Sequence, residues 1–160
     1  MTAALHTLLS HAERQRDEAL SALLQAEEQL RRLQQQEEQL LAYRDDYRLR
    51  HPATGGRSSS IELLRYHEGF MQRLDQALQQ QGGQVQQGET RCQHLRTALL
   101  AEETRVASVR KLLERRGMQV LRAAARQEQR HSDETALQQH RRRSEDASSW
   151  RLGAEPAPTH

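Results

Sequence analysis

Cys92 and eight histidines are the side chains best suited to nucleophilic or metal chemistry, and their placement argues against both. Cys92 stands alone, and its nearest histidine, His94, points off the helical face that Cys92 occupies, so nothing is placed to activate the thiol. Neither His6 with His11 nor His131 with His140 has the i, i+4 spacing of a helical ligand pair. There is no glycine-rich phosphate loop, no paired-cysteine motif, no His-Glu-x-x-His and no nucleophile elbow. The expected chemistry is therefore docking, with no catalysis, no cofactor and no metal. Two residue groups could carry it. Four of the five aromatic residues, Tyr43, Tyr47, Tyr66 and Phe70, fall close together in the chain, and residues 105–143 hold eleven Arg and Lys against four acids. Residues 1–49 run the other way, with nine acids against six Arg. Apart from Lys111 every basic side chain is Arg, which suits carboxylate or phosphate partners and is equally consistent with base composition.

The elements that position these groups follow from a repeat of 3.5 residues. Leu5, Leu9, Ala12, Arg16, Ala19, Leu23, Ala26, Leu30, Leu33, Glu37, Leu40, Arg44 and Tyr47 are spaced alternately four and three apart, and ten of the 13 are apolar or aromatic. A second run extends in unbroken phase from Leu64 through His67, Met71, Leu74, Leu78, Gln81, Val85, Gly88, Cys92, Leu95, Leu99, Glu102, Val106, Val109, Leu113, Arg116 and Val120 to Ala123, with 13 of 18 apolar. Such a sustained repeat specifies a left-handed coiled coil. Composition agrees: 35% hydrophobic and 3% aromatic content cannot fill a wide globular core.

The fold expected is all-α, two long helices forming an antiparallel coiled-coil hairpin with the second longer than the first. The hairpin covers 1–143, with a helix over 3–49, a hinge at 50–60 and a helix over 61–139. Pro52, Ala53, Thr54, Gly55 and Gly56 supply the turn, and Ser59 or Ser60 the cap of the next helix. Gly82, Gly83 and Gly88 are expected to make a flexible or curved zone, with a true break there as the alternative. Pairing about the hinge gives partners whose numbers add to 111–113. Beyond about residue 108 the second helix then has no intramolecular partner, although Val109, Leu113, Val120 and Ala123 continue its seam. Another protein should cover that stripe, or the segment frays alone. Residues 144–160 are expected to be a disordered tail. Ala12, Ala19 and Ala26 form one small-residue layer that lets the helices approach closely. With no apolar run long enough to span a membrane and no signal peptide at the start, the chain is expected to be soluble and cytoplasmic.

Heptad assignment lines up Gln36, Leu40, Tyr43, Tyr47, Phe70, Leu74, Ala77 and Gln81 as one strip near the hinge. Tyr47 and Leu74 suit closure of the hairpin tip, Tyr43 and Phe70 suit anchoring of a partner.

With these features placed, the chain resembles the flagellar type III export protein family called FliJ. The resemblance rests on Leu5 to Asp17, on Tyr43-Arg44-Asp45-Asp46-Tyr47-Arg48 and on Tyr66 to Leu78, and extends over 1 to about 140. It implies a non-enzymatic stalk, similar to the central stalk of rotary ATPases, that couples a hexameric export ATPase to the membrane export gate and escorts export chaperones at the cytoplasmic face of the inner membrane. By that resemblance the strip of eight residues meets the gate protein, with Gln81 standing where the family pattern has histidine. The basic end, including Arg110, Lys111, Arg115, Arg116, Arg122 and Arg126, meets the ATPase ring. Other readings are a structural coiled-coil dimer, a related stalk of a virulence secretion system, and a non-specific nucleic-acid binder acting through the arginine-rich helix. The arginine-rich segment offers almost no aromatic residue for base stacking, which weighs against the last.

Overall fold

Long runs of Leu, Gln, Ala, Glu and Arg without internal proline favour helix at nearly every position, and the chain uses that propensity throughout. The computed structural model describes residues 2–51 and 61–153. It contains two helices, α1 (Thr2–Arg50) and α2 (Ile61–Leu152), and no strand among the described residues. Most of the expected hinge, residues 52–60 with the Ser59 and Ser60 cap, lies outside the described residues, as does 154–160. The chain divides into a hairpin unit, Ala3–Val109, and a second unit that includes Arg110 onward.

In the hairpin unit the seam is where the 3.5-residue repeat places it. Among the described residues all nine buried hydrophobic ones, Ala12, Leu23, Ala26, Leu74, Leu78, Val85, Cys92, Val106 and Val109, are seam positions. Every seam residue of α1 is buried or half-buried, and so is every one of α2 from His67 to Val109. Among the described residues no polar or charged residue is buried. A thin stripe of apolar contact, at roughly 25 cal/mol per Å² removed from water, is thus the main stabilising term. Ala12 is fully buried and Ala26 nearly so, as expected where a small-residue layer draws two backbones together.

The register differs from the expected one. Leu30 lies against Gly88 and Glu37 against Gly82, pairs whose numbers add to 118 and 119. Arg44 faces Asp75, again adding to 119. The hairpin is therefore paired about one heptad away from the 111–113 inferred from a symmetric hinge. A shift of seven residues returns every a and d position to the seam, so apolar periodicity alone cannot choose between the two. One consequence is that α1 ends opposite the neighbourhood of Glu68. Ile61, Leu64 and Tyr66 lie beyond that end and are exposed, Leu64 despite its seam phase.

The glycines do not break α2, which is helical through 82–88. Gly88 has a packing reason: a Cβ there would lie 3.1 Å from Leu30 Cδ1 and 3.6 Å from Leu33 Cδ1. Around Gly83 there is nothing within 4 Å. Gly83→Ala should consequently stabilise the hairpin by about 0.5–1 kcal/mol, the helix-propensity difference, whereas Gly88→Ala should gain less because Leu30 must give way. Thermal melting of the two single variants checks this, and equal gains would contradict the close packing at Gly88.

In the second unit α2 runs on past Gln139 to Leu152, so residues 144–152 are helical where their composition leads one to expect a disordered tail. Serines favour turns when their hydroxyls compete for backbone groups, but here they bond back within the helix. Ser144 Oγ donates to Arg141 O at 2.8 Å, Ser148 Oγ to Glu145 O at 2.8 Å and Ser149 Oγ to Asp146 O at 2.8 Å. The helix stops at Gly153, whose N–H still reaches Ser149 O at 3.2 Å.

Candidate docking surfaces

The end of α1 and the start of α2 bring most of the expected strip together. Tyr43, 53% exposed, stands edge-on to Phe70, ring centres 6.3 Å apart and planes at 68°. Phe70 in turn packs on Tyr47 at 4.7 Å. Further along, Gln81 Nε2 donates to Leu33 O at 2.9 Å and to Gln36 Oε1 at 3.2 Å, joining the two helices. Leu40, Ala77 and Gln81 are half-buried and Gln36 is exposed. Leu74 is different: only 7% exposed, it is core and offers a partner almost no surface. The strip is a shallow aromatic and amide surface with a buried leucine beneath it.

Histidines complete this surface, and the spacing of the aromatic residues did not reveal them. The Tyr47 hydroxyl and His67 Nδ1 share a hydrogen bond across the hairpin. His51, one turn beyond Tyr47, stacks on Tyr47 at 4.8 Å and on His67 at 4.9 Å, and Tyr66 meets His67 edge-on at 6.3 Å. Partial burial, and then the neighbouring Tyr66 and Tyr43 phenols, push the Tyr47 hydroxyl above its ordinary value. It therefore stays protonated at neutral pH and able to donate, and the preference of the fold for the neutral phenol is lost only as pH rises past the tyrosine range. The available signals were the seam phase of His67 and the i, i+4 relation of Tyr47 to His51.

In the second unit, Arg110, Lys111, Arg115, Arg116, Arg122 and Arg126 are all exposed on α2. Lys111, Arg115, Arg122 and Arg126 recur at intervals of four, seven and four, which sets them in one row along the helix. Arg116 occupies a seam phase instead. Apolar side chains accompany the basic row: Leu112, Met118, Val120 and Leu121 are exposed, and farther on so are Leu137, Trp150 and Leu152. The exposed apolar side chains lie on several faces of α2, and the basic row itself fits an acidic surface.

Neither surface has the form of a reaction centre. The depression over Ala124, Gln127, Glu128, Arg130, His131 and Glu134 is lined by one helix alone and has no facing wall. Among the described residues no cluster of three His, Cys, Asp or Glu is arranged to hold a metal ion, and no helix is long and apolar enough to cross a membrane.

No curated protein and no solved structure matches this chain significantly. A family model does, that of the flagellar FliJ protein, over residues 1–145. That span takes in both helices, the aromatic strip and the basic row. The chain is accordingly a coiled-coil protein related to flagellar export and belongs to the FliJ family.

Proposed function

We propose that this protein is the stalk that couples the hexameric flagellar export ATPase to the membrane export gate. The observation that carries the proposal is a seam that continues without cover: Val120 and Ala123 keep the heptad phase of α2 yet are exposed. An apolar stripe of that kind calls for a second protein. The basic row, on the face of α2 turned away from that stripe, suits carboxylates on the ATPase ring, with Arg110, Lys111, Arg115, Arg116, Arg122 and Arg126 as the candidate contacts. The aromatic strip of Gln36, Leu40, Tyr43, Tyr47, Phe70, Ala77 and Gln81 meets the gate protein, with Leu74 supporting it from below. Tyrosine and phenylalanine at a partly exposed position give large contact area at low entropic cost.

In this role the chain hydrolyses nothing itself. It acts at the cytoplasmic face of the inner membrane and reaches the membrane only through protein partners. ATP-driven asymmetry in the ring would be transmitted by a helical shaft that is stiff along its axis. Escort of export chaperones belongs to the same proposal, with no residue assigned to it.

A pull-down with purified export ATPase and the cytoplasmic gate domain tests the reading. Retention of both is the expected result. Retention of neither, with steeply salt-dependent DNA binding in their place, would replace the stalk with a nucleic-acid binder.

A further inference from the structure

Besides Arg44 and His67 near the hinge end, the apolar seam of the hairpin unit is interrupted at two layers where the register sets one polar seam residue of α1 level with one of α2. At the first, Gln81 Nε2 donates to Leu33 O at 2.9 Å and to Gln36 Oε1 at 3.2 Å. Glu37 lies over Gly82, where even an added Cβ would stand 3.7 Å from Glu37 Oε1. At the second, Arg105 Nη1 donates to Gln15 Oε1 at 2.9 Å on α1 and to Glu102 Oε2 at 3.3 Å on its own helix. Beside this bridge Arg16 and Glu102, both half-buried seam residues, have numbers that add to 118, so the register places them in one layer.

Slipping the helices by one heptad, to pairs that add to 111, keeps the apolar seam but wrecks these layers. Glu37 would stand opposite Leu74, Gln81 opposite Leu30, Glu102 opposite Leu9 and Arg16 opposite Leu95. Gln81 would lose its cross-helix hydrogen bonds, and each of the four polar groups would face a leucine in place of a polar layer mate. We infer that Glu37, Gln81, Arg16 and Glu102 are positioning residues that select this register from its one-heptad neighbour. A polar group at a seam position specifies register at a cost in stability, and here four of them act in two pairs. This gives Gln81 a role besides any contact with a partner. It also gives the register a consequence that rests on the stalk reading: slip would draw Gln36 and Gln81 about 10 Å apart along the axis and break the strip.

The test is a distance measurement on the full chain that requires neither ATPase nor gate. Spin labels are placed at Gln25 and Ala107, both exposed, in a Cys92→Ala background. These sites are offset along the axis, so slip toward the neighbouring register lengthens their separation by roughly 8–10 Å. The parent should give one distance. A variant with Arg16→Leu, Glu37→Leu, Gln81→Leu and Glu102→Leu should add a second, longer population while melting no lower than the parent. A single parental distance in that variant would overturn the inference, and so would a second population already present in the parent. Melting well below the parent would overturn it as well, since the polar layers would then be sources of stability and not of register.

Discussion

Removal of residues 110–160 should abolish stimulation of the export ATPase and leave the hairpin folded. Among the described residues all nine buried ones lie at or before Val109, so the truncation removes none of them and takes from the seam only half-buried Leu113 and the exposed Arg116, Val120 and Ala123. It takes away Arg110, Lys111, Arg115, Arg116, Arg122 and Arg126 together with the exposed Leu112, Val120 and Leu121. ATP turnover should fall to the rate of the ATPase alone, while melting of the truncated chain shifts by little. A milder variant separates charge from helix: Arg115→Glu, Arg122→Glu and Arg126→Glu keep α2 intact and reverse three charges of one row. Like charges brought together at an interface cost several kcal/mol, so stimulation should drop at least tenfold in the milder variant as well. Full stimulation by the truncated chain would show that the ATPase is engaged elsewhere.

Why the seam was legible and the register was not is a matter of symmetry. The alternation of four and three assigns a phase to each residue, and the burial of Ala12, Cys92 and Val106 follows directly from it. A phase is unchanged by seven residues, so the apolar pattern admits a ladder of registers. What we infer distinguishes them is that Glu37 falls level with Gln81 and Arg16 with Glu102, a signal in the sequence that has meaning only once two helices are set against each other. The symmetric hinge was the wrong criterion, because a turn of this length constrains the ends of the helices weakly.

The helix beyond Gln139 illustrates a different limit. Ser144, Ser148 and Ser149 resemble a disordered tail by composition, yet each hydroxyl is satisfied within the helix, three residues back. Composition registers the residue type and not the carbonyl it can reach. The strip shows both cases: Tyr43, Tyr47 and Phe70 were found from heptad position, while the contribution of His51 appears only when α1 and α2 bring its ring onto His67.

The second large effect concerns the gate, and the packing of the strip dictates how it has to be tested. Tyr43 is half free of the hairpin, touching Phe70 only edge-on. Tyr43→Ala should lose about 0.5–1.5 kcal/mol of aromatic contact within the hairpin at most, but as an anchor it should weaken gate binding by about 2 kcal/mol or more, roughly thirtyfold. Phe70 touches both Tyr43 and Tyr47, so Phe70→Ala should lower affinity and melting together. Leu74→Ala is the complementary control. That side chain is buried, so the change should cost about 2–5 kcal/mol of stability while leaving the exposed surface chemically unaltered. Binding isotherms with the gate domain, each matched to a melting curve, distinguish the three. Should Tyr43→Ala bind as tightly as the parent while Leu74→Ala binds poorly, the gate would be sensing hairpin stability, and the aromatic strip would have no direct part in recognition.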